Sequence, residues 1–167
     1  MASGTPVQIL ELYYPATLFA QLLTRQGGST PAERVRVHSF DAAAIEYVDY
    51  LCRLQGYAGG GLTFTIAWSA ASATSGVTRW GIAVRRIQDD LEDIDTAHTY
   101  DFNVLDATAP SATGEVAYDT ITFTNGADMD SWANLENAIV RVRREANHAN
   151  DTMAGDAEMW SLTGIET

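Results

Sequence analysis

The residues of this chain that first invite a chemical reading are its glycines. Gly56, Gly59, Gly60 and Gly61 stand in the stretch Gly-Tyr-Ala-Gly-Gly-Gly, just ahead of the apolar run "LTFTIAWSA". A phosphate-cradling loop needs Gly-x-x-x-x-Gly-Lys-Ser/Thr between a strand and a helix. All ten basic residues here are arginine, and the chain contains no lysine. A dinucleotide fingerprint needs Gly-x-Gly-x-x-Gly at the mouth of a helix. The spacing here is different, and these glycines open a strand. They read as a turn that frees the backbone.

The other reactive types are scattered. His38, His98 and His148 form no His-x-x-x-His pair. Glu145 and His148 have Glu-x-x-His spacing, which holds metals when two such pairs face each other on helices; here one pair ends a strand. Gly-x-Ser-x-Gly is absent. The acidic stretch 88–101 carries Asp89, Asp90, Glu92, Asp93, Asp95 and Asp101, but Ala97 stands where an EF-hand needs a ligand and no glycine follows. In 125–136, Ala127 and Met129 occupy ligand positions. Solvated charged loops are the expectation for both. Cys52, the one cysteine, sits among apolar residues and reads as an inert buried thiol. No catalytic, cofactor-binding or metal-ligating residue is assigned, and no cofactor is expected.

Aromatics and arginines carry more. Trp68 and Trp80 fall on core faces of strands, whereas Trp132 lies in a loop region and Tyr13, Tyr14 and Tyr57 lie near turns. The latter group reads as a protein interface or a sugar platform, with interface favoured. Arg141 and Arg143 share one strand face and Arg144 lies opposite. Carboxylates of the 88–95 loop or of a neighbouring subunit are candidate partners for these arginines, and plain solvation is an equal alternative. Asn150-Asp151-Thr152 has the form of a glycosylation sequon.

The elements that must position these groups are strands. "LTFTIAWSA" (62–70) sets Leu62, Phe64, Ile66 and Trp68 against Thr63, Thr65, Ala67 and Ser69, a strict period of two. "VTRWGIAVRRI" (77–87), "AIVRVRREA" (138–146) and "DAEMWSLTGIET" (156–167) alternate likewise, the last placing Trp160 and Leu162 together. "EVAYDTITFT" (115–124) changes phase near Asp119, as a bulge or two-sided burial would require. Segments 7–14 and 34–40 read as strands. Residues 42–54 fit a strand or a helix, and 15–28 a short helix or an arm. The segment 127–138 has room for one helical turn. About eight short strands without intervening long helices predict an all-β, antiparallel two-sheet β-sandwich of jelly-roll type. The expected division is an N-terminal arm or extension over 1–33 and the sandwich over 34–167.

At 167 residues, 46% hydrophobic and 19% charged, the chain suits one globular domain with its own core. Twenty-two acidic residues against ten basic give a net charge of −12, which argues against nucleic acid as a partner. No stretch suits a membrane span and no secretory signal is expected.

The segments Trp68 to Trp80 (W-S-A-x-x-A-T-S-G-V-x-x-W) and Asp151 to Ala157 (D-T-M-x-G-D-A) resemble β-sandwich proteins encoded by tailed bacteriophages. The likeness covers most of the chain from Phe40 onward and favours a strand over 45–54. It implies a jelly roll on a virion and brings no site residues with it. The expectation drawn from it is a non-enzymatic capsid decoration protein on the capsid surface. Its partner would be the major capsid protein or another virion protein, and it would form a homo-oligomer, with a trimer favoured. A carbohydrate-binding jelly-roll module for host attachment, or a tail or head-fibre component, is the alternative.

Overall fold

The computed structural model describes residues 4–167. Alternating apolar residues bury one face of strands such as Leu62–Ala70 and Asn137–Glu145, and two sheets close over the shared core. In chain order the strands are β1 (Val7–Tyr13), β2 (Gln21–Gln26), β3 (Arg34–Phe40), β4 (Ile45–Leu54), β5 (Leu62–Ala70), β6 (Val77–Ile87), β7 (Asn103–Thr108), β8 (Ala117–Phe123), β9 (Asn137–Glu145) and β10 (Ala157–Glu166). The first sheet runs β1-β4-β9-β6-β7 and the second β2-β3-β10-β5-β8. Every named pairing is antiparallel. Chain neighbours such as β4 and β5 lie in different sheets, so the connections cross the sandwich as a jelly roll requires.

The sandwich is as the alternation predicts, with ten strands among the described residues in place of about eight. The additions are β2, inside the 15–28 segment read as a helix or arm, and β7. β1 and β2, which fall within the segment expected as an arm or extension, form one edge strand of each sheet. Residues 45–54 are a strand, and the turn within 127–138 is a single 3-10 turn at Ala127–Met129.

Aromatic rings fill the middle of the core. Trp80 takes Phe40 edge-on at 5.0 Å and Trp68 at 5.8 Å, between ring centroids, and Phe64 meets Phe123 at 5.7 Å. The phase change in β8 has no bulge behind it, because its register with β5 is unbroken. Asp119 simply occupies an inward position, where it accepts the Trp68 indole N–H at 2.7 Å.

Candidate functional site

The β-bulge lies in β10 instead. Its register with β5 shifts between Met159, opposite Trp68, and Ser161, opposite Ala67. One extra residue is thereby absorbed, so Met159 and Leu162 both reach the core. Trp160, grouped with Leu162 by simple alternation, is turned to the outer face of the second sheet. Its indole Nε1 donates to Ser69 Oγ at 2.9 Å. The Ser69 hydroxyl donates to Glu158 Oε2 at 3.2 Å, and Glu158 is ion-paired with Arg25. A continuous polar relay thus spans four strands and fixes the indole.

Beside the indole is a cleft of about 360 Å³ lined by Arg25, Gln26, Glu33, Val35, Gly114 and Trp160, with Gly27 at its rim. The β2–β3 hairpin forms one wall and the loop before β8 the other. Ala67 pairs with both Ser161 and Tyr118, so Tyr118 lies on the same face, two strands across from β10 and 73% exposed. Farther along, Thr163, Thr65 and Thr120 form one cross-strand row. An indole and a phenol offer flat apolar surfaces, while hydroxyls, a guanidinium and carboxylates surround them as hydrogen-bonding groups. That combination suits a ligand with apolar faces and a polar periphery.

The outer face of the first sheet is closed by the chain itself. The loop after β6 folds back across it. Arg85 holds this loop through Glu92 at 3.1 Å and the Asp93 and Thr96 carbonyls at 2.9 and 3.3 Å. Tyr100 then lies 4.1 Å from the Arg141 guanidinium and Phe102 lies 3.7 Å from that of Arg143. Gly81 leaves room for this, since a Cβ there would approach Phe102 within 3.2 Å. Arg141 also forks onto Asp49 with two bonds of 2.7 Å. Arg141, Arg143 and Arg144 therefore pair with Asp49, Glu145 and Asp151 rather than with the 88–95 carboxylates, of which Glu92 serves Arg85 instead.

The remaining sequence candidates resolve into structure. The glycine loop does hold an anion, and that anion is its own. Glu166 Oε1 accepts from the amides of Ala58 and Gly60 at 2.9 and 3.0 Å, and the Gly60 amide chiefly holds its carboxyl below the usual range. Asn134 Oδ1 takes the amides of Gly56 and Tyr57, and Gly56 and Gly59 adopt positive φ of 81° and 100°. Trp132, expected in a platform or interface, is buried at 1% exposure and donates to the Glu136 carbonyl. Glu145 pairs with Arg79 and Arg143, and His148 accepts from the Asn150 amide, so the Glu-x-x-His spacing is used internally. Burial pushes the Cys52 thiol up to about 12. Among the described residues, no three His, Cys, Asp or Glu side chains converge as metal ligands, and no helix is long and apolar enough to cross a membrane.

Trp160 escaped sequence reasoning because position 160 alternates correctly for a regular strand. The visible signal was the adjacent pair Met159-Trp160 followed by Leu162, which a period of two cannot bury together.

No family model matches the chain, and no curated protein matches it. Among solved structures it is similar to a family 35 carbohydrate-binding module from Cellvibrio japonicus Abf62, with 13% identity over 93% of this chain and 91% of that one, at a TM-score of 0.50. It is also similar to a family 35 carbohydrate-binding module from Clostridium thermocellum, with 11% identity over 96% and 97% of the two chains, again at 0.50. At these identities the likeness is one of fold.

Proposed function

We propose that this protein is a non-catalytic carbohydrate-binding module that takes a glycan chain along the outer face of its second sheet. The observation that carries this reading is Trp160, displaced by the bulge onto an open face and fixed there beside the Arg25–Glu33 cleft. A pyranose ring stacks its C–H face on the indole, and its hydroxyls meet the side chains of the cleft. The fold shared with carbohydrate-binding modules supplies the frame, and fold alone does not assign function. The experiment is a polysaccharide and glycan panel followed by calorimetry. Losing the indole contact removes about 1.5–3 kcal/mol of apolar burial, so Trp160→Ala raises Kd roughly tenfold or more. The thermal midpoint should stay close to that of the parent. Failure of the parent protein to bind any glycan, or equal binding by Trp160→Ala, overturns the reading.

A second reading is a structural protein on a tailed-phage virion, with the major capsid protein or another virion protein as partner. It is favoured by the Trp68–Trp80 and Asp151–Ala157 segments. Cryo-electron microscopy of particles tests it. Density for the protein at fixed lattice positions supports it, and absence of the protein from purified particles removes it.

A further inference from the structure

Exposed apolar side chains are unevenly spread over this molecule. Eight large ones are exposed between Ile9 and Leu23, against six elsewhere among the described residues. Single exposed hydrophobics are ordinary, but a contiguous patch calls for a partner. Within this band Tyr14, Phe19 and Leu22 gather around His38. Tyr14 meets Phe19 edge-on at 5.8 Å, its hydroxyl lies 3.1 Å from His38 Nδ1, and Leu22 pairs across to His38. Arg36 and Arg34 precede His38 at steps of two along β3 and so share its face. Seven of the ten arginines make ion pairs. Arg34 and Arg36 are exposed and make none among the described residues. In a chain of net charge −12 the result is an apolar shelf edged with unneutralised positive charge.

The complementary surface lies on the same chain. In the 88–95 loop Leu91 and Ile94 are 74% and 60% exposed, and Asp89 and Asp90 beside them are exposed as well. The three Arg85 bonds hold this loop in place, so little ordering remains to be done on docking. Within one molecule the loop starts, and the shelf sits, at opposite ends of β4. The shelf abuts Tyr47 at one end of β4, through the Phe19 bridge. The loop leaves β6 at Ile87, level with Asn137 and hence with Arg53 at the other end of β4.

We infer that this loop in one copy seats on the shelf of the next, head to tail. Leu91 and Ile94 pack on Tyr14, Phe19 and Leu22, while Asp89 and Asp90 face Arg34 and Arg36. Such a heterologous contact closes into a ring or continues as a filament. This goes beyond glycan binding and uses a different surface.

Sedimentation velocity over a range of concentration and salt tests the inference. The expected result is species larger than the monomer that grow with concentration and recede with salt. Arg34→Glu with Arg36→Glu, and separately Leu91→Asp with Ile94→Asp, each weaken association by about tenfold or more. Thermal melts establish that both variants are folded. Mixed together, the two variants retain one intact junction between them, so the mixture forms a dimer that cannot grow. A protein that stays monomeric at every concentration and salt overturns the inference. So does assembly indifferent to both variants, or a mixture that remains monomeric.

Discussion

Arg144 shows how far a single residue can organise its neighbourhood. The side chain is fully buried, as is that of Asp151, which it engages with two bonds of 3.0 and 2.8 Å. Its remaining donors reach the carbonyls of Gly155 at 2.7 Å, Met153 at 2.9 Å and Phe40 at 3.4 Å. The Asp151–Ala157 segment, which stood out in the sequence, is therefore a loop wrapped around one guanidinium. Every alternate residue of Asp151-Thr-Met-Ala-Gly contributes an acceptor. Removing the cation leaves Asp151 buried and uncompensated. Arg144→Met is expected to cost about 3–5 kcal/mol in denaturant unfolding. The double variant with Asp151→Leu should recover part of that loss, because both charges then leave together.

At the scale of elements, strict alternation was enough wherever a strand buries one whole face. β5 and β6 were legible for that reason, and so was the sandwich. β2 was not, because Gln21-Leu-Leu-Thr-Arg-Gln is an edge strand with both leucines exposed and presents no inward apolar row. β7 is short and carries Asp106 in its middle. The phase break in β8 came from an inward aspartate that answers a tryptophan on the neighbouring strand, a contact no local pattern encodes. The candidate site was illegible for a related reason, since its central residue depends on a register shift between two strands. Pairing of β10 with β5 also demands Gly164. A Cβ there would stand 2.7 Å from Phe64 and 2.9 Å from Val7. Gly164→Ala is expected to destabilise by about 1–3 kcal/mol through overpacking, measured by chemical denaturation.

For the whole molecule the governing quantity is its acidity. Several carboxylates are held below their usual range by specific donors: Glu166 by the Gly60 amide, Glu136 by Arg86 and Asp106 by Asn150. A carboxylate depressed in the folded state binds fewer protons there than in the unfolded chain. Its stabilisation is complete above the unfolded values, 4.5 for Glu and 3.8 for Asp, and is lost as pH falls through the folded ones. The thermal midpoint should therefore decline below about pH 4.5. Glu166→Gln keeps an acceptor for the glycine loop but no longer titrates, so its midpoint should fall less steeply with acid than the parent's. A parallel decline in the two proteins would show that Glu166 has no part in it. The bulge in β10 has a consequence at this scale too. It releases position 160 from the volume constraints that bind Met159 and Leu162, and one side-chain hydrogen bond to Ser69 is what ties the residue there to the sheet. The sandwich thus keeps a socket whose occupant can be exchanged for another ring, or for none, while the interior stays the same; this outer face can drift in evolution independently of the scaffold beneath.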